Sequence, residues 1–228
     1  MLKLLAVCEP GLEQVAAFEL ERLGLIGRRR EGGVEFSGSL QDAYRANLHL
    51  RSASRILVGA GGFHASNFPE LRRKASGLPW EKFLAPGRPV AVRAVCRRSR
   101  LYHESAVAER VAGAIGDKLG TISPLRKCPE DAATDLPQSI VVRLTDNFCA
   151  FSVDSSGAHL HRRGYRLAVA KAPLKETLAA AMVLASGWDA ASPLLDPLCG
   201  SGTIPIEAAL LAKGVAPGHA RRFAFMDW

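Results

Sequence analysis

The stretch Leu194-Leu195-Asp196-Pro197-Leu198-Cys199-Gly200-Ser201-Gly202-Thr203 constrains this chain more than any other. Two leucines lead to an acid, a Gly-Ser-Gly turn follows, and an apolar run extends from Ile204 to Ala212. The pattern predicts strand, glycine turn and helix, the opening of a mononucleotide-binding unit whose ligand sits beyond the carboxyl end of the strand. Glycines at 200 and 202 let a ligand approach the backbone without meeting a Cβ. A helix starting near Thr203 offers unpaired N–H groups at its first turn. Neither the P-loop pattern G-x-x-x-x-G-K nor the dinucleotide pattern G-x-G-x-x-G is present, which excludes both. A plain strand-to-helix turn stays open as a reading of a bare Gly-x-Gly.

The acid that ends the predicted strand suits a ligand ammonium or hydroxyl better than a phosphate. That favours S-adenosylmethionine over a dinucleotide. The turn lies close to the end of the 228 residues, so the sheet it should open is expected to be incomplete within this chain.

Charge points to a polyanion. The net charge is +8 and the pI about 9.6, a balance that suits nucleic acid better than an acidic small molecule. Residues 1–58 carry 8 basic and 7 acidic groups, 59–155 carry 14 and 10, and 156–228 carry 8 and 5. The excess therefore lies in the middle and last segments. The five cysteines (Cys8, Cys96, Cys128, Cys149, Cys199) form no C-x-x-C pair, so neither a zinc site nor a disulfide framework is expected. No stretch approaches the roughly 20 apolar residues of a membrane helix. A cytoplasmic protein with no membrane or metal partner is expected.

Residues 2–7, a helix from Leu12 to Leu23, a strand over Gly33–Phe36, a helix over 40–50 and a strand over Arg55–Val58 predict a small α+β, ferredoxin-like unit, residues 1–58. Gly59 to Gly62 is read as a boundary. A helix over Phe68–Ser76, a strand over Val90–Cys96, a helix carrying Val107, Val111, Ile115 and Leu119, and a hairpin of Ile140–Leu144 with Phe148–Val153 fill residues 59–155. The stretch 121–138 reads as a loop. Residues 156–228 hold a basic connector, a helix with Pro173 at its first turn, and the glycine turn.

Three ordered segments resemble a known family. Asp196 to Thr203 followed by Ile206-Glu207-Ala208-Ala209 is similar to the first cofactor motif of the THUMP-containing RNA guanine-N2 methyltransferases. His161-Arg162-Arg163-Gly164-Tyr165-Arg166 resembles their basic sequence after the THUMP domain. Ala172 to Ala181 resembles the helix before their first cofactor strand. The resemblance implies a ferredoxin-like unit plus THUMP domain, then the start of a Rossmann-like methyltransferase domain. It also implies S-adenosylmethionine as cofactor and rRNA or tRNA as substrate, with N2-methylguanosine as product. Asp196, Pro197, Cys199, Gly200, Ser201, Gly202 and Thr203 would line the cofactor, with Pro173 and Glu176 nearby.

The chain departs from that pattern. The Asn/Asp-Pro-Pro-aromatic loop that would orient the target amine is absent, so no catalytic residue is assigned and the cofactor pocket is expected to be incomplete. A stand-alone THUMP-type RNA-binding module without catalysis is the alternative. Arg97, Arg98 and Arg100, between a strand and a helix, are candidate phosphate ligands. Arg162, Arg163, Tyr165 and Arg166 combine charge with a ring that could stack on a base. Arg28-Arg29-Arg30 reads as a solvated charge run.

Overall fold

The computed structural model describes residues 1–128, 136–166 and 174–228. The chain divides into two compact units, Met1–Ile56 with His159–Arg222, and Leu57–Ala158 with Phe223–Trp228.

The first unit follows the order β1 (Leu2–Cys8), α1 (Glu13–Arg22), β2 (Gly27–Arg30), β3 (Gly33–Gly38), α2 (Leu40–His49) and the start of β4 (Ala53–His64). Its strands lie in the order β2-β3-β1-β4, with β1 and β2 both antiparallel to β3. This is the β-α-β-β-α-β arrangement of the ferredoxin-like fold. Leu4, Ala6, Val34 and Phe36 form the buried parity of the sheet, and Ala16, Leu20, Ala43 and Ala46 come from the helices. Ser39 starts α2 with a capping box: its hydroxyl accepts from the Asp42 N–H, and the Asp42 carboxylate accepts from the Ser39 N–H at 2.9 Å. The arginines 28–30 are exposed, in keeping with a solvated run. They form the edge strand β2, whose exposed side chains give no apolar alternation to read.

The remainder of the first unit contains α5 (Glu176–Ala185) and α6 (Thr203–Ala212), packed on each other. The helix expected to begin at Pro173 begins at Glu176; Pro173 itself lies outside the described residues.

The second unit takes up the latter part of β4. There β4 pairs antiparallel with β7 (Phe148–Asp154), which pairs antiparallel with β6 (Gln138–Thr145). β5 (Val90–Arg97) lies parallel to β6. A parallel neighbour needs a crossover, and α4 (Glu104–Leu119) supplies it. Gly120 ends that helix at φ +69°, a left-handed cap. α3 (Phe68–Ser76) and α4 cover one face of the sheet, burying Leu71, Val107, Val111 and Ile115 against Ile140, Val142, Leu144 and Phe151.

Gly59 to Gly62 lies within β4, just past the division between the two units at Ile56 and Leu57, and the register shifts between Gly59 and Gly61. Gly61 takes φ +135°, so glycine lets the strand bulge and continue. Phe223–Trp228 pack within the second unit. Phe223 is buried, Trp228 Nε1 donates to Gln138 Oε1 at 2.9 Å, and its ring meets Phe83 edge-on at 5.1 Å. Among the described residues, no helix is long and apolar enough to cross a membrane.

Candidate functional site

The glycine turn is built as a connection into α6. Asp196 Oδ1 accepts from the Leu198 N–H at 3.1 Å, and the Gly202 N–H donates to the Cys199 carbonyl at 2.7 Å. Gly200 and Gly202 sit at φ +53° and +75°, left-handed values that a side chain would strain. A Cβ at either glycine would meet nothing closer than 3.8 Å, so the space over the turn is open. Gly202 is the N-cap of α6 with no side-chain cap, which leaves the first helical N–H groups directed at the turn.

Pro197, Cys199 and Ser201 are exposed, and Thr203 is buried with its hydroxyl 3.2 Å from that of Ser201. Leu194-Leu195 is not a strand. Leu195 is 88% exposed, and no described strand lies beside it to supply a ladder.

Beneath the turn lies a charged cluster that local sequence does not announce. Glu207, one turn into α6, is fully buried. Its Oε1 accepts from the Tyr165 hydroxyl at 3.0 Å and lies 3.5 Å from Arg163 Nε; its Oε2 lies 3.7 Å from Arg51 Nη1. Arg51 Nη2 donates to the Val215 carbonyl, and Arg163 donates to the Leu160 and Arg51 carbonyls. Glu19 completes the set, accepting from the Arg51 and Ser52 N–H groups at 2.7 and 2.9 Å. Burial raises the Glu19 carboxyl above its ordinary pKa against the lowering pull of these bonds. Two arginines and two glutamates thus share one interior. The signal in the sequence was Glu207 itself, four residues into an apolar helix.

This corrects the assignment of the connector to RNA. Arg163 is buried with its guanidinium directed at Glu207 and backbone carbonyls, which leaves no fork for a phosphate. Tyr165 donates inward to Glu207, and burial raises its phenol pKa. Arg166 Nε donates to Glu176 Oε1 at 2.9 Å, and its Nη2 reaches Thr203 Oγ1 at 3.2 Å. Arg166 and Glu176 therefore meet at the start of α6. Arg162 is half-buried.

His159 and His161 stack at 5.4 Å beside these residues. Burial, with Arg55 next in effect, pushes His159 down to about 4, and Arg55 Nη2 lies 3.2 Å from its Nε2. The unfolded chain binds this proton at the ordinary histidine pKa and the folded chain does not. The His159 contribution is therefore full above about pH 6.5 and is lost as pH falls toward 4. Urea denaturation across that window should show stability dropping with acid, and His159→Gln should flatten the drop.

In the second unit, Arg97 ends β5 and Arg98 and Arg100 lie in the loop that leads to α4; all three are exposed. Arg98, at φ +46°, forms a bidentate pair with Asp146 at 2.9 Å. The Arg100 N–H donates to Asn147 Oδ1 at 2.8 Å and Ser99 Oγ accepts from the Asn147 N–H at 3.1 Å, so the loop is knitted to the β6–β7 turn. Tyr102 and His103 follow, their rings 4.1 Å apart and Tyr102 67% exposed. The sequence reading passed over both. An exposed ring pair directly after an arginine cluster was the available signal. No group of side chains able to hold a metal ion occurs among the described residues.

A ferredoxin-like unit, a basic sheet-and-helix unit and an acid–glycine turn heading a helix define the THUMP-containing modular class. Three family models match in that order: the RlmL ferredoxin-like domain over residues 3–57, the THUMP domain over 65–154, and the RMKL-like methyltransferase domain over 163–226. The chain belongs to the THUMP-containing RNA methyltransferase family. It is 39% identical to the ribosomal RNA large subunit methyltransferase K/L of Cellvibrio japonicus, over 98% of this chain and 30% of that protein. It is 37% identical to "Putative RNA methyltransferase YpsC" of Bacillus subtilis, over 99% of this chain and 58% of that one. Among solved structures it superposes with a TM-score of 0.84 on "SMU.472, a putative methyltransferase complexed with SAH", at 35% identity, covering all of this chain and 60% of that one. The chain thus spans 30% to 60% of the length of these proteins.

Proposed function

We propose that this chain is the RNA-binding and cofactor-entry portion of an S-adenosylmethionine-dependent RNA methyltransferase that forms N2-methylguanosine in rRNA or tRNA. The observation that carries the reading is the turn Asp196 to Thr203, open above its two left-handed glycines and heading α6. The donor set fits the cofactor: a carboxylate for the ammonium and helix N–H groups for the carboxylate of its amino-acid end. Asp196, Pro197, Cys199, Gly200, Ser201, Gly202 and Thr203 would hold it, with Glu176 and Pro173 nearby. When bound, the cofactor supplies an electrophilic methyl group. These residues orient it, and Arg166 holds Glu176 and Thr203 in place.

The turn is exposed, so these residues would form one wall of the cofactor pocket. In the second unit, Arg97, Arg98 and Arg100 would take RNA phosphates; in the first unit, Arg162 is a separate candidate for the same role. Buried Cys8 and Cys149, without a disulfide among the described residues, suit a reducing cytoplasm.

Calorimetric titration with S-adenosylmethionine, on this chain and on the longest natural polypeptide that contains it, tests the reading. Binding by the longer polypeptide, lost in Asp196→Ala, together with methyl transfer to guanine N2 of RNA, is the expected outcome. A longer polypeptide that neither binds the cofactor nor methylates RNA would sink the reading.

A further inference from the structure

Among the described residues, α3 and α4 cover one face of the second unit's sheet, and the other face is exposed at Arg93, Arg97, Arg143 and Phe148 but buried at its far end, at Leu57, Ala91 and Asp154. Strand parity assigns the residues. Ala94, Val142, Phe151 and Phe63 point to the covered side, and the opposite parity holds Arg93, Arg97, Arg143, Phe148 and His64. Arg97, Thr145, Phe148 and His64 form one cross-strand row from β5 to β4, and all four are exposed. Arg143 lies opposite Val95 and Ala150, and Arg93 lies opposite Val141.

A solvated antiparallel face ordinarily mixes its polar residues. This one carries three exposed guanidiniums. Among the described residues of these strands, the one carboxylate of that parity, Asp154, is fully buried at the far end.

Phe148 is not a stray exposed ring. A Cβ at Gly62 would stand 2.8 Å from Phe148 Cζ, so the ring lies down across the glycine backbone, a placement only glycine allows. His64 meets it edge-on at 5.0 Å and 66°. Phe148 remains 42% exposed, with its outer side turned to solvent. A ring laid flat on a sheet and flanked by arginines is what a splayed base and its phosphates require.

We infer that the exposed part of this sheet face is a single-stranded RNA platform, with a base stacked on Phe148 beside His64 and phosphates on Arg93, Arg143 and Arg97. The inference rests on the RNA reading above and goes beyond it, since that reading used only the end of β5, the loop after it and the connector. Arg93 and Arg97 stand four residues apart on β5, about 13 Å of surface. A duplex keeps its base faces stacked and has none to offer the ring; a single strand has them free.

Fluorescence anisotropy of the full chain with a labelled twelve-nucleotide oligouridine, and with an RNA duplex of equal length, tests this. All the substituted positions are exposed, so folding is retained, and circular dichroism verifies it. Phe148→Ala should weaken single-strand binding about 5- to 100-fold with an unchanged salt slope, whereas Phe148→Trp keeps it. Arg93→Ala and Arg143→Ala should each lower the salt slope by about 0.7. If the unmodified chain binds RNA and these variants bind equally well, the platform is overturned while the RNA reading stands. If the unmodified chain binds neither RNA, both are overturned.

Discussion

Glu207→Ala should destabilise this protein by about 3–5 kcal/mol, because it leaves two buried guanidiniums without their shared carboxylate. Arg51 and Arg163 have side chains only 8% and 2% exposed, and they approach Glu207 at 3.7 and 3.5 Å. Neither can swing out to water, since each is also held by backbone carbonyls. For a chain of this size the thermal midpoint should drop by about 10 °C or more. Glu207→Gln keeps the shape and an acceptor for Tyr165, and should cost less. Replacing Arg51, Arg163 and Glu207 together with apolar residues of similar volume should recover most of the loss, since the desolvation cost of the ions disappears with them. Thermal melts of the three variants decide the matter. A Glu207→Ala midpoint within 2 or 3 °C of the original, roughly 1 kcal/mol, would mean that the cluster is hydrated rather than paired. Because Glu207 lies one turn into the helix that the glycine turn heads, the same variant should raise amide exchange over Gly200 to Ile206.

Trp80→Ala should cost a similar amount, about 3–5 kcal/mol, by a different route. The indole is fully buried beneath the second sheet, edge-on to Phe151 with centroids 6.1 Å apart, and its Nε1 donates to the Ala75 carbonyl at 2.7 Å. Removing it opens a cavity and strands that carbonyl. Trp80→Phe refills most of the volume and should lose chiefly the hydrogen bond, about 1 kcal/mol. Urea denaturation followed by amide exchange should place the damage in β5 to β7 and α4. Unchanged protection there, with an unchanged midpoint, would contradict the packing described. RNA affinity should fall with it, because these strands position the Arg97 loop and the Phe148 face.

Much of this was legible in residue order. Alternation along Val90–Cys96 and the helical stripe Val107, Val111, Ile115 report their elements directly, because each element has one wet face and one dry one. The three motifs that carry the family resemblance are local, and local patterns survive without knowledge of the fold. Where both faces of an element are wet, the signal fails: β2, an edge strand of arginines, has no apolar parity. Where glycines cluster, the signal is ambiguous, since Gly59 to Gly62 serves equally as a linker or as a bulged strand. Leu194-Leu195 reads as a strand because it is apolar, yet a strand exists only where a neighbour offers its ladder.

The functional residues divide in the same way. By itself the sequence determined the local form of the turn, since an acid, two glycines and a helix start lie within a few residues of one another. It also determined the net basic charge and the order of the modules. Tertiary structure alone decided what each arginine does. Arg162 and Arg163 are adjacent in the chain, but only Arg163 is turned into the interior toward a glutamate 44 positions away. Arg93, Arg97 and Arg143 are scattered along two strands, and register alone puts them on one face. Charge is a property of the residue; whether it meets a carboxylate or a phosphate depends on which groups the fold brings within a few ångströms of it, and that distance is not written in sequence separation.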